Sequence, residues 1–494
     1  MKTFVLPLTA LIVGSAAAAD FRSTDYPTIT KAIEACSTAG GGRVVVPSGA
    51  WATGPVILRS NVELHLEEGA RLEFSDNPKD YLPAVPTAQE GVECLNYSPL
   101  VYAYGATNIA ITGKGVLAPK MDVWREWVPC PYPKGYFDAL RKLYDWMSDG
   151  VPLAERDLTK LPESNMRPQL IMFNRCKGIR LEGYQVREAP FWTHHLFLCE
   201  DVVMRGVDDR AHLNNTDGVD IEGTRNVLIE KCTFDQGDDV IVLKAGRNRD
   251  GWRLNRPTEN VEVRNCTING GNGVLTVGSE MSGGVRNVYL HDCTVTRETK
   301  HVFYVKTNRR RGGFVENIRM KNVKAADALT AISVKTDVLY QWGEFPDHEI
   351  RYTPIRNLSV ENLSVGACEV GIELLGDEHL PIDGVKIANF KCERCYGQFK
   401  KIENARNVEI HDDFAVAGSE IASCLGAKML PREYSHVRDA LLKRVHAADR
   451  ACDAAWLACD TPEKVRAHQQ EVRAKTVAAI GGYPERTPLN ARTV

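Results

Sequence analysis

The sequence predicts an all-β protein built as a parallel β-helix, because one strand pattern returns many times in the same phase. The segments NVLIEKCTF, NVEVRNCTI and NVYLHDCTV begin at Asn226, Asn260 and Asn287, and each combines alternating apolar residues with a Cys-Thr pair. Successive copies between residues 201 and 317 start roughly 25 to 35 residues apart, the length of one coil of such a helix. An antiparallel sandwich would require hairpin signals such as Asn-Gly between strand pairs, whereas here the pattern keeps its phase.

The columns of this repeat have structural interpretations, because equivalent positions of successive coils stack at about 4.8 Å. We expect Cys232, Cys266 and Cys293 to point inward as buried thiols. The 14 cysteines would suggest disulfides in an exported protein, but three members of one column cannot all pair with one another. The Asn column is expected to stack its amides at a turn and to have no chemical role.

Helical segments are predicted at both ends of the repeat. Residues 28–37 carry an apolar stripe at helical spacing and are followed by three glycines, which predicts a helix that caps the first coil. From about residue 431 the sequence is rich in Ala and charged residues, with two helical patterns. We assign the β-helix domain to residues 20–428 and interpret residues 429–494 as a helical tail, either a cap or a connector to a further module.

The first 19 residues have the organisation of a secretory signal, with a lysine, an apolar run and an Ala-rich end. The run is far shorter than the roughly 20 apolar residues of a membrane span, so we expect an exported periplasmic or extracellular protein with no membrane partner. The formal net charge is −3, which gives no overall positive charge for nucleic acid. A polyanionic ligand would therefore have to meet a local basic patch, such as residues 306–311.

Short polar segments inside the repeat region carry the candidate chemistry. Asp217 lies in Asn-Thr-Asp-Gly and Asp238 and Asp239 lie in Gly-Asp-Asp about one coil later, while Glu280 and Lys306 follow in the next coils. One Asp in a loop would indicate only a turn. Stacking would bring these side chains to one face, where clustered carboxylates perturb one another's pKa values. Three such aspartates can split a glycosidic bond, one acting as acid and the others positioning a water.

Longer segments around these residues identify a family. They are GGGRVVVPSGAWATGPVILRSNVELHLEEGARL, APFWTHHLFLCEDVVMRGV, NTDGVDIEGTRNVLIEKCTFDQGDDVIVLKAGRNRDG, GSEMSGGVRNV and VKTNRRRGGFVENI. Over about residues 27–417 the chain resembles glycoside hydrolase family 28, the polygalacturonases and related pectin hydrolases, and the last two segments resemble its bacterial and plant-like branch. The resemblance implies a single-stranded right-handed parallel β-helix, hydrolysis with inversion, and a pectic substrate with neither metal nor other cofactor. We expect a monomer.

The resemblance also implies roles for individual residues. Asp238 would be the general acid that protonates the departing glycosidic oxygen, while Asp217 and Asp239 would hold and deprotonate the attacking water. Inversion generally needs the acid and base carboxyls roughly 6.5 to 9.5 Å apart, a gap that one coil's rise plus the side chains can supply. Lys306 matches the basic residue that binds the substrate carboxylate.

Further candidates for substrate binding are Asn215, Lys244, Asn272, Tyr304 and His195. Asn272 stands where the family usually has His, and Tyr304 stands where it usually has Arg. An Asn can donate a hydrogen bond to the acid but cannot carry charge, and losing the Arg removes a bidentate carboxylate clamp. Three arginines at 309–311 could replace that charge. His195 has an alternative interpretation as an ordinary packed residue.

Residues 121–163 interrupt the repeat with an aromatic-rich insertion. It is either a packed side loop or a sugar-stacking wall of the cleft, and a walled cleft would favour attack at chain ends. The expected substrate is galacturonic-acid-containing pectin, with rhamnogalacturonan and exo action as options. Two other classes stay open: a pectin lyase with a calcium-binding acidic cluster, and a catalytically altered or inactive carbohydrate-binding solenoid, which the replacements at 272 and 304 would explain.

Overall fold

A computed structural model describes residues 19–128, 133–338, 349–395, 397–411 and residue 461. The predicted secretory signal, apart from its last residue, lies outside the described residues. The predicted helical tail does so too, apart from residue 461. The boundaries of the assigned domains therefore stay predictions.

The described residues form 32 strands, labelled β1 to β32 in chain order. They are Asp20–Arg22, Gly42–Val46, Gly49–Thr53, Val56–Ile57, Val62–Leu66, Ala70–Phe74, Val85–Gln89, Val92–Asn96, Val101–Tyr104, Thr107–Gly113, Val116–Leu117, Ile171–Asn174, Lys177–Glu182, Gln185–Arg187, His194–Phe197, Glu200–Arg205, Asp208–Ala211, Val219–Glu222, Arg225–Glu230, Thr233–Gln236, Ile241–Lys244, Thr258–Arg264, Thr267–Gly270, Gly273–Val277, Val285–Val295, Thr299–Lys306, Val315–Lys335, Ile355–Leu375, Ile382–Ala388, Lys391–Cys395, Lys400–Glu403 and Ala405–His411. The α-helices α1 to α4 are Ile29–Thr38, Asp122–Glu126, Lys134–Asp149 and Asn248–Leu254, and 3-10 helices occupy Ser23–Asp25, Pro78–Tyr81, Leu153–Glu155 and Leu158–Lys160.

Thirty of these strands belong to one continuous hydrogen-bonded sheet, in which neighbouring strands of the described residues run parallel. Each strand pairs with its equivalent one coil away, so that Val227, Val261 and Val288 are in register across β19, β22 and β25. Strands β7 and β8 are the exception, since they form a separate antiparallel hairpin. The parallel β-helix predicted from the repeat is confirmed.

A column of asparagines marks one corner of successive coils. Asn226, Asn260 and Asn287 have φ values of 59°, 58° and 56°, the left-handed region that Asn tolerates better than most residues. The amide nitrogen of Asn260 donates to Asn226 Oδ1 at 3.1 Å, and that of Asn287 donates to Asn260 Oδ1 at 3.2 Å. The predicted amide stack is present, and it turns the chain at the same place in each coil.

The interior of the coils is apolar, as the alternation of the repeat requires. Cys232, Cys266 and Cys293 are buried free thiols that face this core, as predicted. Full burial of a Val, Leu or Ile side chain contributes about 1.5 to 3 kcal/mol, so the stacked aliphatic columns supply a large part of the stability. Among the described residues, no helix combines the length and apolar character that crossing a membrane requires.

Helix α1 covers the first coil, as predicted. The Thr28 side chain accepts a hydrogen bond from the Lys31 N–H at 3.1 Å, which caps the helix start. The buried face of α1 joins the main core through Ile29, Ala32, Ile33 and Cys36. These four residues form the apolar stripe seen in the sequence.

The insertion at 121–163 is more regular than expected, because α3 alone runs for 16 residues. Its amphipathic face packs with Val92 and Cys94 of the β7–β8 hairpin into a second, smaller core. Trp124, Tyr136 and Tyr144 are buried, so these aromatic rings are not available to stack on a sugar. The packed interpretation therefore applies to them.

Candidate active site

Three aspartates lie together in the loops that precede two neighbouring strands. Asp217 precedes β18, Asp238 and Asp239 precede β21, and these strands pair in register. Backbone hydrogen bonding continues through the loops, since the Gly218 N–H donates to the Asp239 carbonyl oxygen at 3.0 Å. One carboxylate oxygen of each aspartate lies within 4.8 Å of the others. The structure thus brings together the three residues that the sequence singled out.

The nearest oxygens of the three carboxyls lie within 4.8 Å of one another, whereas the carboxyl groups of a typical inverting pair are roughly 6.5 to 9.5 Å apart. Parallel stacking draws equivalent loop positions to about the strand spacing of 4.8 Å. Two carboxylates at this distance can share one water, because each hydrogen bond to it spans about 2.7 to 2.8 Å.

Burial and mutual repulsion keep protons on this cluster. Burial raises the pKa of Asp217 well above its ordinary value, and the charges of Asp220 and Asp238 act in the same direction. Burial also raises the pKa of Asp238, together with the charge of Asp239 and against that of Lys306. Because these groups titrate together, the shared proton belongs to the cluster rather than to one carboxyl. Such a cluster can supply an acid and a base at once.

The next two coils orient the cluster. The amide nitrogen of Asn272 donates to Asp238 Oδ1 at 2.8 Å, and the Asp239 N–H donates to the same oxygen at 2.9 Å. This favours Asp238 Oδ2 as the oxygen that carries a proton. Lys306 Nζ donates to Asp239 Oδ2 at 2.8 Å. A Cβ on Gly273 would come 2.7 Å from Asp239 Oδ1, so the chain there requires glycine.

Tyr304 and Lys306 project from β26 on the side of the aspartates. The Tyr304 ring stacks on His301 with centroids 4.0 Å apart, and Lys306 Nζ lies 5.4 Å from the Tyr304 ring centroid. Both side chains are partly exposed. Tyr304 stands where the resemblance led us to expect an Arg, and it presents a flat aromatic ring next to Lys306 at the end of β26. A sugar ring can stack on such a surface.

Asn215 lies two residues before Asp217 and holds the loop. Its Oδ1 accepts a hydrogen bond from Arg167 Nη2 at 3.0 Å, and Arg167 Nη1 donates to the carbonyl oxygen of Asn214 at 2.8 Å. Arg167 is buried. This arginine, which sequence reasoning missed, fixes the loop that carries Asp217.

Lys244 lies below the surface instead of facing a substrate. Its Nζ is 2.9 Å from Glu280 Oε2, 3.6 Å from Asp220 Oδ1 and 4.5 Å from the Trp192 ring centroid. Burial opposes its charge, but these carboxylates outweigh burial and hold its pKa well above the ordinary value. The predicted direct contact of Lys244 with the substrate is not supported by this position.

His195 is also a packed residue. It is fully buried, its Nε2 lies 2.8 Å from Glu222 Oε2, and its Nδ1 lies 3.4 Å from the amide of Gln169. The side chain points outward from β15, but other residues of the protein cover it. This position supports the alternative interpretation of His195 as an ordinary packed residue and does not support its predicted role in substrate binding.

Arg311 does not replace the lost family arginine. It is buried, its Nε donates to the Ser279 carbonyl oxygen at 2.8 Å, and its Nη1 donates to Asn248 Oδ1 at 2.6 Å. Arg311 supports the loop around Glu280. The hypothesis that the arginines at 309–311 supply the missing charge is not supported for this residue.

The hairpin β7–β8 covers one end of the outward face that carries the site. Pro86 accepts hydrogen bonds at its carbonyl oxygen from Tyr102 Oη at 2.6 Å and from Asn174 Nδ2 at 3.1 Å. Gln169 Nε2 donates to the Ala88 carbonyl oxygen at 2.9 Å. Strand β9 with Tyr102 and strand β12 with Asn174 are thus covered, and Phe197 of their neighbour β15 packs in one apolar cluster with Ala88. The face around β26, with Tyr304 and Lys306, stays partly exposed.

The three aspartates also satisfy the spacing of a cation site. The positive charge next to Asp239 is supplied in this chain by Lys306, at 2.8 Å. A hard divalent cation prefers six or more oxygen ligands or waters, and an ammonium group in this position competes with it. The donor set fits acid–base chemistry better than metal chemistry.

This fold and site define a parallel β-helix protein with a cluster of three aspartates and a lysine in the loops and strand ends of neighbouring coils. The sequence model described as "Glycosyl hydrolases family 28" matches residues 152–417, and the chain belongs to this family. A "Probable polygalacturonase" of Vitis vinifera is 26% identical over 363 residues, which are 71% of this chain and 66% of that protein. An "Exo-poly-alpha-D-galacturonosidase" of Dickeya chrysanthemi is 26% identical over 408 residues, 76% of this chain and 65% of that protein. The chain spans about two thirds of these relatives' length.

Solved structures show the same architecture. The hyperthermoactive exopolygalacturonase of Thermotoga maritima is 33% identical with a TM-score of 0.70, over 80% of this chain and 92% of that chain. The family 28 exopolygalacturonase of Yersinia enterocolitica is 20% identical with a TM-score of 0.65, over 81% of this chain and 76% of that chain, and this likeness shows the fold alone.

Proposed function

We propose that this protein hydrolyses galacturonic-acid-containing linkages of pectin. The observation that carries the proposal is the cluster of Asp217, Asp238 and Asp239 within 4.8 Å, with the Lys306 ammonium 2.8 Å from Asp239. The carboxylates supply acid and base, and the lysine supplies a positive charge for an acidic sugar. The polygalacturonases among the relatives support this substrate class.

The reaction uses the asymmetry of the cluster. Asp238 gives its proton to the glycosidic oxygen as the bond to the anomeric carbon breaks. Asp217 and Asp239 hold a water, and one of them takes its proton as the water oxygen bonds to that carbon. The products are two shorter chains, one with a new reducing end. Asn272 keeps Oδ1 of the acid occupied at 2.8 Å, so that the proton stays on the oxygen facing the substrate.

The stereochemistry follows from where the water stands. The family resemblance implies attack from the face opposite the leaving group, hence inversion. Direct attack by a carboxylate on the anomeric carbon would instead give retention. Proton NMR of the first-formed sugar, recorded before mutarotation, decides between them: an inverted anomer supports the water-holding role of Asp217 and Asp239, and a retained one contradicts it.

Exo action is the mode that the closed end of the cleft favours. A polysaccharide crossing the site cannot continue over β9, β12 and β15, because the hairpin β7–β8 covers them. A chain end must therefore sit there. Two of the relatives act from chain ends by name, one of them 33% identical.

The first 19 residues support export, which N-terminal sequencing of the mature protein tests.

The test is reducing-sugar release from a panel of homogalacturonan and rhamnogalacturonan oligomers by the parent and by Asp238→Asn. The variant keeps the size of the side chain but has no proton to give, so we expect turnover to fall by about 10²- to 10⁴-fold with unchanged thermal unfolding. Asp208→Asn, in β17 of a different stack of strands, should keep parental turnover.

Each other class of protein has its own outcome. A product that absorbs ultraviolet light through a new double bond would indicate a lyase. Binding of the oligomers with no release would indicate a carbohydrate-binding solenoid. Near-parental turnover of a folded Asp238→Asn variant would remove Asp238 from the role of acid.

A further inference from the structure

The tip of the β7–β8 hairpin is fixed against Arg247, which follows β21. The Arg247 N–H donates to the Gly91 carbonyl oxygen at 2.8 Å, and Arg247 Nε donates to the Glu90 carbonyl oxygen at 2.8 Å. Gly91 has a φ of 81°, and a Cβ there would come 2.7 Å from Glu280 Cβ. Two hydrogen bonds and a glycine contact therefore hold the tip against the buried pair of Arg247 and Glu280.

This anchoring turns the Glu90 side chain inward. Glu90 adopts a φ of 51°, and its carboxylate lies 3.5 Å from Arg247 Nη2 with 16% of the side chain exposed. A glutamate at the tip of an ordinary hairpin would extend into solvent. Here its pKa is raised by burial first and then by Glu280, and the charge of Asp238 contributes. Glu90 is connected to the site through a chain of charged contacts: Arg247 binds Glu280 at 2.7 Å, Glu280 binds Lys244 at 2.9 Å, and Lys244 lies 3.6 Å from Asp220, three residues after Asp217.

The positively charged side chains near Glu90 differ from Lys306 in their partners and in their exposure. Glu280 receives hydrogen bonds from Lys244 at 2.9 Å and from Arg247 at 2.7 Å, so these two cations already have a buried carboxylate partner. Lys306, by contrast, stands on the partly exposed face of β26, where it donates to Asp239 Oδ2 at 2.8 Å. A uronic-acid ring between Glu90 and Lys306 would meet a carboxylate at one side and an ammonium at the other.

We propose that Glu90 is a specificity-determining residue that binds the hydroxyl groups of the terminal sugar at the closed end of the cleft. A carboxyl group forms strong hydrogen bonds with sugar hydroxyls, and the sugar's own carboxylate turns toward the Lys306 ammonium. The tip of the hairpin leaves the chain no path beyond this ring. This inference rests on the proposed function and adds to it the residue that recognises the chain end.

The test compares Glu90→Gln and Glu90→Ala with the parent and with Glu155→Gln, an exposed glutamate of the insertion. Galacturonate trimers labelled at one end first identify which end the parent releases. Loss of a hydrogen bond to a charged group costs roughly 10- to 100-fold in binding. We expect KM to rise by about that factor in Glu90→Ala and less in Glu90→Gln, with kcat within about threefold of the parent. Glu155→Gln should match the parent.

A trimer that lacks one hydroxyl on its terminal ring completes a double-mutant cycle. If Glu90 binds that hydroxyl, the parent binds the deoxy trimer more weakly than the full trimer, whereas Glu90→Ala binds the two trimers equally. Circular dichroism confirms that each variant is folded, and Glu90→Gln decides the question if Glu90→Ala does not fold. An unchanged KM and product profile, with Asp238→Asn inactive, would overturn the role of Glu90 alone. Activity of both Glu90 and Asp238 variants at the parental level would overturn the proposed function as well.

Discussion

Replacing Lys306 by Met tests the acidic subsite and its electrostatic coupling to the aspartates. The Nζ atom lies 2.8 Å from Asp239 Oδ2, and the side chain is 22% exposed. Two unit charges about 4 Å apart interact by about 4 kcal/mol at an effective dielectric constant of about 20. Allowing for partial exposure leaves roughly 2 to 3 kcal/mol for a substrate carboxylate. We therefore expect kcat/KM for galacturonate trimers to fall roughly 30- to 150-fold in Lys306→Met.

A second readout separates substrate binding from a structural role. The charge of Lys306 lowers the pKa of Asp238, against the burial that raises it. Removing that charge raises the pKa further, so the acid keeps its proton to higher pH. The basic limb of the kcat profile should therefore move to higher pH in the variant. A lysine that only stabilised the fold would leave this limb in place.

The assay measures initial rates on the acidic trimer and on its methyl-esterified counterpart from pH 4 to about 9, a range that spans the carboxyl and histidine pKa values. Lys321→Met is the matched control, since Lys321 Nζ makes an equally short contact of 2.8 Å with Glu361 on another part of the surface. We expect the control and the neutral substrate to be hardly affected. If Lys306→Met cleaves the acidic trimer as well as the parent does, the acidic subsite is not at Lys306.

Two further predictions concern titration. The pKa of Glu280 is held well below its usual value, because Lys244, Arg247 and Arg311 outweigh the opposing effect of burial. Its ionised form should therefore stabilise the fold at neutral pH, and this contribution should be lost as the pH falls through the folded-state pKa. In urea unfolding, the gap between the parent and Glu280→Gln should be widest near neutral pH and should narrow in acid, and a constant gap would contradict this. In reduced protein, the hydrogen bond from Cys368 lowers the pKa of the partly exposed Cys395 to about 7, so brief iodoacetamide treatment at neutral pH should alkylate Cys395 before the buried cysteines of the described residues, as peptide mass spectrometry would show.

Much of the fold is contained in local sequence. The spacing of Asn226, Asn260 and Asn287 sets the length of each coil, and the alternation around Cys232 and Cys266 sets which side chains face inward. These are short-range properties, because a coil pairs only with its neighbours. The clustering of Asp217 with Asp238 and Asp239 follows from the same rule.

Only the tertiary structure decided what covers the outward face. The sequence named His195 and Lys244 as candidates for substrate binding, but the hairpin β7–β8 and the contact with Glu280 bury them. The contact between Arg247 and the tip at Glu90 joins residues 157 positions apart. No periodic pattern encodes such a contact, because it depends on the shape and charge of two segments that meet only after the coils have stacked. The sequence by itself therefore determined the coil and its catalytic loops, and the docked hairpin decided which end of the cleft is closed.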